Sequence, residues 1–274
     1  MFRFTKIRDR KSDLEYPGIF NNRLIIVDRI SKSYSDSQGS PKTVLDRVSL
    51  ELYVGELLVV LGKSGTGKSV LLRHIVGLEK PDSGRVYYAP ELRDDRGGLK
   101  KNSVGLVFQG GALFDFLSVR ENIAFPLRFH KDSLPREKDE QEEVIRSKVS
   151  QALFEVGLEG IEDCMPSELS GGMRKRVSLA RSMVYSPKVL LYDEPTSGLD
   201  PITSREISQL IVRLRKDKGV CGIVVTHDMS LARDIADRIA VHHEGRLESL
   251  SSFSSDAYSK HPLLSQFFQS NVYL

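Results

Sequence analysis

Residues 62–69 read Gly-Lys-Ser-Gly-Thr-Gly-Lys-Ser, after the apolar run Leu57–Leu61 and at the start of the helix-like segment Ser69–Leu78. This succession of buried strand, glycine-rich turn and helix constrains the fold more than any other stretch of the chain. A short continuous apolar run suits a strand covered on both faces, as in parallel sheets. Glycines let the turn wrap closely and point its N–H groups inward. The following helix aims the positive end of its dipole at the same point. Such a cradle suits a multiply charged phosphate chain, and the spacing matches G-x-x-x-x-G-K-[ST]. In that chemistry Lys68 reaches the β- and γ-phosphates of ATP, and the Ser69 hydroxyl ligates Mg2+. The candidate nucleotide contacts here are Gly62, Lys63, Ser64, Gly65, Thr66, Gly67, Lys68, Ser69 and Val70.

Strand-like and helix-like segments alternate around this centre. Residues 24–30 and 48–54 are strand-like, separated by a Ser-rich segment, 31–42, that reads as a loop. Residues 85–109 read as two strands around a polar loop. From 110 to 187 the pattern turns helical: Ile145, Val149, Ala152, Leu153 and Val156 follow one helical stripe, Met173, Val177, Ala180 and Val184 another, and Pro187 closes the second. Val189–Glu194 and Gly222–Asp228 read as buried strands, and 231–239 as a helix. Residues 201–219 make a helix with Asp200 as its N-cap, Pro201 at the first position and Gly219 beyond the end. Residues 239–248 read as a closing hairpin. The expected architecture is α/β: a core with a parallel sheet, an antiparallel β subdomain from the early strands, and a helical subdomain over about 110–187; with the motif at 62–69, the core resembles the P-loop NTPases of the RecA-like kind. The expected divisions are an extension at 1–22, an ATPase domain at 23–248 and a tail at 249–274.

Composition narrows the partners. The 274 residues are 40% hydrophobic and 28% charged, with a net charge of +3. That balance argues against nucleic acid, which calls for a concentrated basic face. Cys164 and Cys221 lack metal-ligand spacing and read as reduced thiols. No apolar run approaches the roughly 20 residues of a membrane-spanning helix, and the basic N-terminus lacks the apolar core of a signal peptide. A spanning part, if one is used, comes from another chain.

Two further motifs complete a chemistry. Asp193 and Glu194 end the apolar strand 189–194, where open α/β sheets bind ligands. Asp193 is the candidate Mg2+ ligand; Glu194 is the candidate group that orients the attacking water and takes its proton. Leu169-Ser170-Gly171-Gly172-Met173 opens a helix and forms a second anion cradle.

With these residues in place, the chain from 24 to about 248 resembles the ABC ATPases. In that family the Ser170-Gly171-Gly172-Met173 segment faces the γ-phosphate held by a second subunit. The resemblance implies that Tyr34 stacks on adenine, that Gln109 senses Mg2+ and the γ-phosphate, that the loop ending at Asp200 crosses the dimer interface, and that His227 contacts the γ-phosphate. Lys68, Gln109, Glu194 and His227 are thus the catalytic candidates, and Ser69, Gln109 and Asp193 the metal candidates. The segments 108–130 and 165–184, with Gly-Gly-Ala-Leu-Phe after Gln109 and Met173 after the two glycines, resemble the ATPase subunit of MCE-type lipid transporters, the Mla-like systems of bacteria and plastids.

The implied partners are a second copy of the chain, an integral membrane permease and an MCE-type lipid-binding protein. The implied location is the cytoplasmic face of the inner membrane. The alternatives are the ATPase of another ABC importer or exporter, and a soluble non-transport ABC protein, which usually carries long coiled coils or two cassettes. A P-loop kinase would leave Leu-Ser-Gly-Gly and His227 without a role.

Overall fold

The computed structural model describes residues 20–35, 39–129 and 134–250. Two antiparallel strands open the chain, β1 (Arg23–Ser35) and β2 (Pro41–Tyr53), followed by β3 (Leu57–Leu61), α1 (Lys68–Ile75), β4 (Ser83–Tyr88) and β5 (Val104–Val107). Three helices follow, α2 (Val119–Phe129), α3 (Lys138–Glu155) and α4 (Gly171–Met183). The chain then alternates through β6 (Val189–Asp193), α5 (Pro201–Lys218), β7 (Cys221–Thr226) and α6 (Met229–Ile235), and ends in β8 (Arg238–His243) and β9 (Arg246–Leu250).

One sheet has the order β2-β1-β4 and is antiparallel; the other has the order β5-β6-β7-β3-β8-β9 and is parallel except for β9. The expected parallel core, antiparallel β subdomain and helical insert are all present. Successive side chains of a strand point to opposite faces, and β3 uses both. Leu57, Val59 and Leu61 enter an apolar cluster with α2 to α6, whereas Leu58 and Val60 enter a second cluster with α1 and the antiparallel sheet.

Three expectations are corrected. The Ser-rich segment is largely strand: β1 continues to Ser35 and β2 begins at Pro41. Its polar side chains are anchored sideways, with the Ser33 and Thr43 hydroxyls 3.1 Å apart and Asp82 accepting from Lys32 Nζ and Ser33 N–H. The last helix starts earlier and ends at Ile235, not 239. Asp228 caps it by accepting from Ser230 and Leu231 N–H, and Asp237 leaves the helix to exchange hydrogen bonds with the Leu57 backbone. The domain expected to end at 248 extends at least to Leu250, because β9 pairs Leu250 with Ile239. The extension up to residue 19 and the tail from 251 lie outside the described residues.

Candidate nucleotide site

β3 ends at Leu61, and the glycine-rich turn carries the chain from it into α1. Two glycines are required by geometry. Gly67 has φ +106, and a Cβ there would press into Val44; a Cβ on Gly62 would come within 2.7 Å of the His242 carbonyl oxygen. Thr66 closes the turn by donating to the Lys63 carbonyl at 2.9 Å. Ser64 and Gly65 are exposed at the tip, and Val70 packs into the second apolar cluster, leaving its backbone N–H as its contribution to the loop.

Lys68 folds back into the cradle. Its ammonium donates to the Gly62 and Lys63 carbonyls at 2.7 and 2.9 Å and pairs with Glu194 Oε1 at 3.2 Å. Ser69 Oγ donates to Asp193 Oδ1 at 2.8 Å, although the two residues are 124 positions apart. Burial pushes the Asp193 carboxyl above its ordinary range, opposed by the Ser69 hydrogen bond. Placing a divalent ion between these oxygens would offset that desolvation. A hydroxyl and a carboxylate suit a hard cation that takes its other ligands from phosphate and water, as Mg2+ does. The pair therefore fits Mg2+.

Glu194 is the hub. Its second oxygen accepts from Thr226 Oγ1 at 3.2 Å and His227 N–H at 3.3 Å, and lies 2.9 Å from His227 Nδ1. Its backbone sits at φ +47, in the left-handed region that non-glycine residues rarely enter. Gln109, two residues past the end of β5, donates its side-chain amide to the Ser197 hydroxyl at 3.4 Å. The structure thus brings Lys68, Ser69, Asp193, Glu194 and His227 into one network, with Gln109 at its rim.

Other predicted residues lie elsewhere. Ser170 is the N-cap of α4 and accepts from Met173 N–H at 3.2 Å. Gly171 lies against Leu199, and a Cβ on Gly172 would collide with Thr203. The Thr203 hydroxyl in turn donates to Asp200 at 2.6 Å, and Asp200 caps α5 with its other oxygen. Those hydrogen bonds hold the Asp200 carboxyl below its usual range. Met173 packs against the larger apolar cluster. Ser170–Gly172 and Asp200 form one patch, and among the described residues no hydrogen bond or ion pair joins that patch to the glycine-rich turn.

Tyr34 is a strand residue rather than a loop one. Its hydroxyl donates to Glu79 at 2.5 Å, and the Lys32 ammonium lies 5.4 Å from the ring centre. It pairs with Lys42, two residues from the Val44 that touches Gly67.

Two residues escaped the sequence reading. Lys175 is buried and donates to the Gln109 and Glu194 carbonyls. Its only sequence signal is its place five residues after Ser170, and a helical lysine reads as solvated. His242 is fully buried beneath the turn with neither ring nitrogen hydrogen-bonded. Burial, with help from the charges of Lys68 and His243, depresses its pKa to about 4, so it is neutral.

Known proteins match this arrangement. The profile of the family described as ABC transporter matches residues 45–197. The methionine import ATP-binding protein MetN of Geobacillus kaustophilus is 42% identical over 234 residues, covering 82% of this chain and 64% of that protein. The chain thus spans somewhat under two thirds of that relative. The chloroplastic protein TRIGALACTOSYLDIACYLGLYCEROL 3 of Arabidopsis thaliana is 38% identical over 274 residues, covering 91% and 75%. Among solved structures, the dimeric post-hydrolysis state of the ATP-binding cassette MJ0796 with ADP and Pi superposes with a TM-score of 0.70 at 31% identity, covering 84% of this chain and all of that one. Motif order, site geometry and these matches agree: the chain belongs to the ABC transporter family, and its described domain is an ATP-binding and ATP-hydrolysing cassette that takes its nucleotide with Mg2+.

Proposed function

We propose that the chain is the motor subunit of a membrane transporter, acting as a homodimer that clasps two ATP molecules at its interface. The observation that carries this is the division of the site. One patch supplies Lys68, Ser69, Asp193, Glu194 and His227; another, with no hydrogen bond to the glycine-rich turn among the described residues, supplies the Ser170–Gly172 cradle. Two copies facing each other complete two sites. Tyr34 would meet the adenine, and the turn ending at Asp200 would cross the interface.

In hydrolysis Lys68 leaves Glu194 for the β- and γ-phosphates, which frees the carboxylate. Water attacks the γ-phosphorus, the bond to the bridging oxygen breaks, and ADP departs. Glu194 orients the water and takes its proton, His227 steadies the γ-phosphate, and Gln109 senses the γ-phosphate and Mg2+. Ser69 and Asp193 would hold Mg2+, with Gln109 as a further candidate ligand, and the ion would supply positive charge against the phosphates. Differential affinity of closed and open pairs for nucleotide does the work on a partner.

A groove of about 500 Å3 beside the Gln109 segment suits the permease. It is lined by Phe108, Phe114, Phe125, Phe129 and Tyr185, with Arg181 at its wall, and Phe116 nearby is 76% exposed. Among the described residues no helix is long and apolar enough to cross a membrane. In this reading the chain sits on the membrane's cytoplasmic face through that partner.

The proposed cargo is lipid, delivered with an MCE-type partner. Gly-Gly-Ala-Leu-Phe after Gln109, Met173, and a relative bearing the name of a glycolipid support this. A second reading, import of a small solute, draws on the likeness to a methionine import protein. Affinity purification of the chain from native membranes, with partner identification, separates the two. An MCE-domain protein supports lipid; a periplasmic-type solute-binding protein overturns it.

A further inference from the structure

Lys175 reaches two motifs of the nucleotide site at once. Its ammonium donates to the Gln109 carbonyl and, at 3.3 Å, to the Glu194 carbonyl. The side chain is buried and lies in the field of the Asp193 and Glu194 carboxylates. An ammonium withdrawn from water is costly unless its donors find acceptors. A methionine would fill the same space without that cost, so packing alone does not account for a lysine. What the ammonium adds is a fixed distance between α4 and the ends of β5 and β6.

That distance matters because of what lies at each end. Ser170, the cap of α4, is five residues earlier, about 7.5 Å along the helix axis. Further along, Arg181 donates to the Gly111 and Ala112 carbonyls at 2.9 and 2.7 Å. The helix therefore grips the Gln109 segment at two points. Glu194 is held from both sides in its left-handed conformation, by Val225 O on its N–H at 3.0 Å and by Lys175 on its carbonyl. Such backbone conformations persist only where the surroundings over-determine them. A displacement of α4 that carries Ser170 to a nucleotide pulls on both carbonyls.

We propose that Lys175 is a positioning residue for ATP hydrolysis: it ties the cradle end of α4 to the backbones of Gln109 and Glu194, so that closure at Ser170 sets the water-activating carboxylate. This rests on the two-subunit reading of the site. Lys175 acts through these two backbones.

The test uses the full chain with steady-state ATPase assays and fluorescent-nucleotide titration. Lys175→Met is expected to lower kcat about 10-fold or more, while KM and nucleotide affinity move less than about 3-fold. Lys175→Arg, which keeps the donors, recovers at least about a third of kcat. If Lys175→Met does not fold, Lys175→Gln, whose amide falls short of the two carbonyls, carries the same expectation. A kcat within about 3-fold of the parent, equal losses in kcat and affinity, or no recovery with Lys175→Arg overturns the inference. ATP-driven dimerisation of the Glu194→Gln chain is measured in parallel. A chain that stays monomeric overturns the two-subunit reading itself; a dimer together with an unimpaired Lys175→Met overturns the role of Lys175 alone.

Discussion

The Lys68 ammonium lies 3.2 Å from Glu194 Oε1, and the two side chains are 5% and 8% exposed. The proposed phosphate-gripping group and the proposed water-activating group thus neutralise each other's charge. Removing one partner of a buried pair leaves the other uncompensated.

Glu194→Gln is therefore expected to do two things. Hydrolysis falls by about 100-fold or more, while ATP binds and accumulates a dimer visible by light scattering. Without nucleotide the variant loses roughly 1–2 kcal/mol, seen as a Tm lower by about 4 °C, and ATP restores it. Parent-like turnover would remove Glu194 from the proton transfer.

Lys68→Ala would lose the proposed charge-assisted contact to phosphate. Nucleotide affinity should fall by about 10- to 100-fold, read by isothermal titration. Unchanged affinity would contradict the phosphate contact.

The two glycines separate strain from bulk. Gly67→Ala places a side chain at φ +106 against Val44, and Gly62→Ala drives one into the His242 carbonyl. Both should cost about 1–3 kcal/mol and weaken nucleotide binding. Gly65→Ala, at φ +77 with open space around it, should cost only the backbone term, about 1 kcal/mol. Equal losses at all three would mean that the close contacts are irrelevant.

Ser170→Ala removes the cap of α4, at about 1 kcal/mol, and, in the proposed two-subunit site, one wall of the partner's phosphate pocket. Turnover should fall while binding by the monomer survives. Loss of monomer binding would place Ser170 in its own subunit's site.

The pH dependence follows from His242. Its folded pKa, about 4, lies below its unfolded value near 6.5. Unfolding then takes up a proton, so this contribution is complete above pH 6.5 and is lost as pH falls toward 4. The loss is about 3 kcal/mol in full. His242→Leu should flatten the Tm profile over that window; an unchanged slope would assign the acid sensitivity to other groups.

Much of this site was legible in the residue order, because its chemistry is local. The turn 62–69 announces itself through glycine spacing, and Asp193-Glu194 through the apolar strand before it. The Ser69–Asp193 contact spans 124 positions and was reachable only because both motifs are assigned to one ion. The rest depends on packing. Lys175 is a charge on a helix, and nothing local says that two strand ends will cover it. Ser33 and Lys32 look like loop residues until Asp82, half a hundred positions on, supplies their partners. Asp237 reads as helical until the Leu57 backbone captures it.

β3 belongs to both apolar clusters, and the nucleotide turn hangs from its end. Neither lobe can soften without loosening the rod on which ATP is carried. Heat should melt the whole cassette in one step, and a weak spot engineered into the outer β lobe should be felt at the phosphates as directly as one placed among the helices.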